Sequence, residues 1–361
     1  MNSTQNESET YHDQEFWLNI VSHSRTLDYL YIYTLVPFFT VSLGLGLLSF
    51  FILTKKEFKN NSFFKHMRAY VLNSIFLFAI LATTFVPITR RVFNFTNSYE
   101  SLFYGCYFYL PLIAVFYLNS SLIEICIVIE RLLYFLPSRY KMIKKFGFKK
   151  YCLILQALSL LINLPNFFSS YPSFMDVKLD SNTTFRAYYW GKTDFAQSPT
   201  GVVVLYLMYF VRDVLTLLVK IALNLKLIFM VRNYLSRIKA EKLAFALKIS
   251  TGLELHDKKK LDAANESSYI SKKERNQTYI ALFMCMFSFF NHVFYTLSYV
   301  YFFLLRLEPA GVALYLALVS LGLKHVFNFF MMYKYKYLFR DELKKSFHNL
   351  FSYKHDSSSS L

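Results

Sequence analysis

Charge is scarce in this chain. Asp, Glu, Lys and Arg make up 17% of its 361 residues, where soluble domains carry about 25%. With 55% hydrophobic residues and a positive mean hydropathy, this excludes an ordinary soluble enzyme and a disordered tail protein. Cysteine is scarce too. Cys106, Cys126, Cys152 and Cys285 all fall in apolar runs, with no CxxC and no Cys/His cluster. That excludes a disulfide-stapled secreted domain and offers no metal site. Met1 to Arg25 is polar and has no apolar h-region, so no cleavable signal peptide is expected. No internal repeat is visible, which counts against a transporter built of inverted halves. The histidines are scattered, at positions 12, 23, 66, 256, 292, 325, 348 and 355, which argues against a catalytic constellation and for a protein that is not an enzyme.

What the chain does have is long apolar runs. A helix needs about 20 apolar residues to cross a bilayer. Seven segments qualify: 29–54, 69–89, 101–129, 151–175, 198–231, 277–305 and 309–333. They predict an all-α membrane protein, a seven-transmembrane helix bundle over 29–333, with an N-terminal tail at 1–28 and a C-terminal tail at 334–361. The fifth run is the least clean, because Arg212, Asp213, Lys220 and Lys226 lie inside it. The net charge of +17 sorts by side: with the N-terminus outside, 29 Lys and Arg fall in inner segments, 7 in outer ones and 4 within spans. The positive-inside rule therefore places the N-terminus outside the cell, and the cations report topology rather than nucleic-acid binding. Sequons at Asn2, Asn6, Asn94 and Asn182 fall on the outer side as candidate glycosylation sites, while those at Asn60, Asn265 and Asn276 fall inside.

Three short motifs sit at the ends of these runs. Glu130-Arg131 closes the third run, and Cys106 opens it 25 residues before Arg131, about 37 Å of helix. In the seventh run Asn328-Phe-Phe-Met-Met-Tyr precedes Phe339-Arg340, with 11 residues from Asn328 to Phe339. Over about 337–351, Phe339, Leu343, Phe347 and Leu350/Phe351 share one face and Lys344 and Lys345 stand off it, the pattern of an amphipathic helix on a membrane surface. The sixth run opens Glu274-Arg-Asn-Gln-Thr278.

Together these resemble the rhodopsin-like (class A) G-protein-coupled receptors. Those carry an outer Cys and an inner D/E-R-Y on the third helix, NPxxY on the seventh, an F-R start to helix eight, and a Glu four before a Thr on the sixth. The resemblance implies a plasma-membrane receptor that senses an extracellular ligand and activates a heterotrimeric G protein, with no cofactor. On it, Glu130, Arg131, Glu274, Thr278, Asn328, Met332 and Phe339 form the coupling and switch set, with Arg131 held at rest by Glu130 or Glu274. Ile113, Tyr117, His292, Tyr295, Tyr299 and Leu318 take ligand-cavity positions. Amine receptors need an Asp where Ile113 stands, so an amine ligand is not expected. Asn163-Leu-Pro-Asn-Phe-Phe168 is similar to the end of the fourth helix in invertebrate FMRFamide-type receptors, which implies a short neuropeptide ligand. The chain departs from the family pattern in several places, as a divergent invertebrate member. Phe329 and Met332 replace the Pro and Tyr of NPxxY, Phe78 the second-helix Asp, Leu47 the first-helix Asn, and Asn291-His-Val-Phe294 the CWxP motif. The fourth run has no Trp, and the loop from Pro172 to Thr200 has no Cys to pair with Cys106.

Charges inside a membrane are costly unless paired, so each is a candidate for function. On the family's geometry Glu124 and Lys324 face the interior at similar depth. The expectation is that the Lys324 ammonium stands where relatives bind sodium, with Glu124 as its counter-charge; the alternative is that Lys324 meets only water and carbonyls. Asn291 and His325 complete this polar network. An opsin-like role for Lys324 is not expected, because Gly322 stands where opsins have their Lys. Arg212 and Asp213 are neighbours, about 100° apart on an α-helix, and are not expected to face each other. His292 is expected either to respond to ligand or to be a core histidine bonded to Asn291 or Asn328. A rival reading is a multi-pass transporter or channel that uses Glu124, Arg212, Asp213, Lys220 and Lys324 as a substrate path.

Overall fold

The computed structural model describes residues 29, 31–59, 61–83, 99–134, 148–180, 183–250, 258–299, 310–335 and 337–356. Among the described residues seven helices form the bundle, and six of them, with their adjoining turns, are long and apolar enough to cross a membrane. The seven are α1 (Val36–Leu53), α2 (Ser62–Ala82), α3 (Leu110–Tyr134), α4 (Phe148–Asn163), α5, α6 (Lys258–Tyr299) and α7 (Ala310–Tyr335). A π-helical turn, Tyr31–Leu35, leads into α1, and another, Gly105–Tyr109, leads into α3. The fifth helix consists of Pro199–Tyr209, a π-helical turn Phe210–Leu215 and Thr216–Ser250, together named α5. An eighth helix, α8 (Tyr337–Asp356), packs against α1 and α7.

Local signals explain the helix starts. The Asn61 side chain accepts from the Phe63 N–H at 2.9 Å and caps α2. Ser198 does the same for Gly201 at 3.0 Å, with Pro199 at the first helical position. Along α5 the inward face reads Arg212, Asp213, Thr216, Lys220, Leu227 and Val231, all buried at steps of one to two turns. α6 is 42 residues long, about 63 Å, so α5 and α6 both project beyond the bilayer at the Arg131 end.

The burial pattern is that of a protein solvated by lipid. On α4, Leu153 and Leu161 are 69% and 67% exposed, while Ser159 and Asn163 are buried. A water-facing helix would reverse that order. Asn73, Asn119 and Gln156 tie α2, α3 and α4 together behind this face: Asn119 donates to Asn73 at 2.7 Å and to Gln156 at 2.5 Å. In lipid, apolar contact alone gives helices little reason to associate, so such hydrogen bonds and close packing hold them together.

Two expectations need correction. The fourth span ends earlier than 175: α4 passes into a 3-10 turn at Leu164–Phe168, and an antiparallel hairpin follows, β1 (Ser170–Asp180) with β2 (Thr183–Lys192). Pro165 removes a helical donor, and the residue before Pro172 is biased to extended backbone, so the chain cannot continue as helix. The apolar run is shared between a helix end and a strand. The hairpin lies against Tyr99–Tyr104 and Gly105–Tyr109 at the opposite end of α3 from Arg131. The second correction concerns Leu47, which is half exposed on the outward face of α1 and takes no part in the interior network. Cys106 is buried and is a free thiol.

α7 approaches α1 closely at Gly322, where an added Cβ would overlap the Phe38 ring. Replacing Gly322 by Val is expected to destabilise the bundle by about 1–3 kcal/mol, the usual cost of overpacking. Thermal unfolding of the purified chain would show it, with recovery when Phe38→Ala is added; an unchanged unfolding temperature in G322V would refute the close approach.

Candidate functional site

Glu124 lies seven residues before Arg131 on α3, about 10 Å along the axis. It is 1% exposed. Its Oε2 accepts from Lys220 Nζ of α5 at 2.8 Å, and its Oε1 contacts Lys324 Nζ of α7. One carboxylate thus holds three helices together. Lys220 also donates to Ser288 Oγ at 2.6 Å and to His292 Nε2 at 3.0 Å, both on α6. Lys324 Nζ stands 5.5 Å from the centre of the Tyr70 ring, within the range of a cation–π contact. Lys324 therefore meets Glu124 rather than carbonyls alone. The second partner, Lys220, was visible in the sequence only as a charge inside the fifth run. The seven-residue spacing from Asp213 to Lys220, both buried, is a signal that could have placed them on one face.

His292 is a bonded interior histidine, but not through Asn291 or Asn328. Its Nδ1 pairs with the Tyr117 hydroxyl at 2.9 Å, and its Nε2 faces Ser121 Oγ at 3.2 Å as well as Lys220. Asn291 instead donates to the Ala317 carbonyl at 2.5 Å, tying α6 to α7. Asn328 donates to the Tyr70 hydroxyl at 3.3 Å, which also pairs with His325 Nε2 at 3.3 Å. The His325 ring stacks on Tyr70 at 5.1 Å and meets the edge of Phe78 at 4.5 Å. Phe78, in the place of the second-helix Asp, so closes the site with a ring instead of a charge.

Of the expected cavity residues, Tyr117, His292 and Tyr295 are brought together. Tyr117 stacks on Tyr295 with centroids 5.0 Å apart. Ile113 and Leu318 are buried in the apolar layer that Tyr117 shares with Phe39, Phe78 and Leu321. The side chain of Tyr299 lies outside the described residues, as do Asn2, Asn6, Asn94 and Asn182.

Arg212 and Asp213 overturn their expectation. Both are buried, and the guanidinium is bidentate on its neighbour's carboxylate, with Nη2 at 2.7 Å from Oδ2 and Nε at 3.0 Å from Oδ1. The turn that carries them is π-helical, and the long Arg212 side chain curls round it to reach its neighbour's carboxylate. The Arg212 guanidinium also lies 4.9 Å from the Tyr209 ring and 5.9 Å from the Tyr295 ring.

At the other end of α3, Glu130 is engaged by two side chains. His66 Nδ1 of α2 lies 2.9 Å from its Oε2 and Arg131 Nη2 lies 3.3 Å from its Oε1. Arg131 Nη1 donates to Gln277 Oε1 of α6 at 2.6 Å, over the Phe63 ring at 4.9 Å. His66 and Gln277 carried no motif in the sequence. The Glu274 side chain lies outside the described residues, and Thr278 is buried. Met332 and Phe339 are buried in one cluster with Phe329, whose ring meets Phe339 edge-on at 5.8 Å. Phe329 thus does packing work where the motif has Pro.

Removing the shared carboxylate is expected to cost more than removing either cation. Glu124→Gln leaves two ammonium groups facing each other, a loss of about 3–5 kcal/mol. Lys324→Met leaves the Glu124–Lys220 pair balanced and is expected to cost less. Thermal unfolding of the purified variants decides it; an E124Q chain at least as stable as K324M would show that the carboxylate is not the centre of the cluster.

No protein-family model matches the chain, and no curated protein matches it in sequence. In structure it is similar to squid rhodopsin: the likeness has a TM-score of 0.60 at 13% identity and covers 90% of this chain and 87% of that one. The chain is an all-α, multi-pass membrane protein with the seven-helix fold of rhodopsin.

Proposed function

We infer that the chain is a plasma-membrane receptor of the G-protein-coupled type. Its N-terminus stands outside, and Asn2, Asn6, Asn94 and Asn182 are its glycosylation sites. A ligand enters from the hairpin end toward Tyr117, His292 and Tyr295. A heterotrimeric G protein engages the Arg131 end. The observation that carries this reading is the bond from Arg131 on α3 to Gln277 on α6, supported by the rhodopsin-like fold. A tie between these two helices is a two-state element: ligand binding shifts the balance toward its open form. Glu130, Glu274, Thr278, Asn328, Met332 and Phe339 complete the switch. The short segment 163–168 favours a peptide as ligand.

The same buried charges could serve a transporter. Glu124, Lys220, Lys324, Arg212 and Asp213 are each closed off by a partner within the bundle, which supports a switch rather than an open path.

The test is G-protein activation in cultured cells exposed to short peptides, each in amidated and free-acid form. A peptide response is expected that Arg131→Ala abolishes. Gln277→Ala, which cuts the α3–α6 tie, and Glu274→Ala are both expected to raise basal signalling several-fold. If all peptides are silent and Gln277→Ala leaves basal signalling unchanged in protein shown to reach the cell surface, the receptor reading fails.

A further inference from the structure

Among the described residues, the charges around Glu124 do not balance. Glu124 is one anion between two cations, Lys220 and Lys324, and Arg212 is already matched by Asp213. All five are at most 3% exposed. An excess positive charge in a low-dielectric interior is expensive. It is relieved either when a lysine gives up its proton or when an anion comes in. The surroundings favour charged lysines. Lys220 points at three acceptors, the Glu124 carboxylate, Ser288 Oγ and His292 Nε2. Lys324 has a carboxylate oxygen and the face of a tyrosine ring. A neutral amine needs neither arrangement.

The hydrogen bonds then have one sense. An ammonium only donates, so His292 Nε2 accepts from Lys220. The imidazole proton therefore sits on Nδ1 and is donated to the Tyr117 oxygen, 2.9 Å away. That turns the phenol proton of Tyr117 away from His292. The excess charge of the lysine pair is thereby presented, through one imidazole, as a polarised O–H. This donor belongs to a ring stacked on Tyr295, with centroids 5.0 Å apart.

We propose that the Tyr117 hydroxyl, beside the Tyr295 ring, is the binding site for an anionic group, a carboxylate on the ligand. The ligand's carboxylate accepts from Tyr117 and offsets the surplus ammonium behind it. An aromatic or apolar portion stacks on the tyrosines. This rests on the receptor reading for its biological meaning but names the chemistry of the site independently of coupling.

The experiment uses the full chain in lipid nanodiscs and three probes that share one ring: phenylacetate, phenylacetamide and phenethylamine. Thermal unfolding is read at rising probe concentration, since a ligand of the native state raises the transition. Phenylacetate is expected to stabilise at a concentration at least about tenfold below that of the amide, and the amine not at all. Tyr117→Phe, a minimal change, is expected to make acid and amide equal. Lys324→Met removes the surplus charge and is expected to do the same. Equal response to acid and amide in the native chain, preference for the amine, or no response to phenylacetate at millimolar concentration would each overturn the site. Acid-selective binding without G-protein activation would leave the site standing and count against coupling. Activation by amidated peptides alone, with no acid preference, would do the reverse.

Discussion

One carboxylate organises the interior of this bundle. Glu124 is the one carboxylate that two ammonium groups, brought by α5 and α7, share. In lipid there is no hydrophobic force to pull helices together, so ionic and hydrogen-bonded contacts decide which helices meet. At 1% exposure the carboxylate is costly to leave unpaired. Its position on α3 therefore dictates where Lys220 and Lys324 must come, and with them the depth and rotation of α5 and α7. His292, Ser288 and Tyr70 are placed by the same demand, because each satisfies or flanks one of the two ammoniums.

The polar groups then fall into tiers along α3. Glu130 and Arg131 join α2 and α6 at one end. Glu124 joins α5 and α7 one and a half to two turns further along. Tyr117 and Ser121 reach His292 on α6 beyond that. Every tier involves α6 or touches a residue that does, so a rotation of α6 would break bonds at each level. Side-chain bonds thus tie the bundle together at each level between its two ends.

Much of this was legible in the chain and some was not. Glu124 and Lys324 were legible because charge inside an apolar run has few explanations. Lys220 was equally visible, yet its partner was not, since a helix face can be read from spacing but the helix it meets cannot. Arg212 and Asp213 were misread because the angle per residue fixes where the side chains leave the helix, not how far a long Arg side chain reaches round it. A π-turn depends on how the helix ends are pulled by their neighbours, and no local residue type announces it. Gln277 and His66 are ordinary polar residues near helix ends; only their approach to Arg131 and Glu130 gives them a role. The fourth run was too long by a strand because apolar composition does not distinguish a lipid-facing helix from a hairpin strand.

Seven apolar runs, an eighth helix and the inventory of intramembrane charges were legible in the chain alone. These follow from local hydrophobic length and periodicity, which the bilayer enforces on each segment separately. The tertiary structure alone decided which charges pair, which tautomer His292 takes, that Phe78 and Phe329 fill the sites of missing polar and proline residues, and that two cations share one anion. These depend on contacts between segments far apart in the chain, such as Glu124 with Lys220 and Lys324. Their energies come from burial and geometry that exist only once the helices have met.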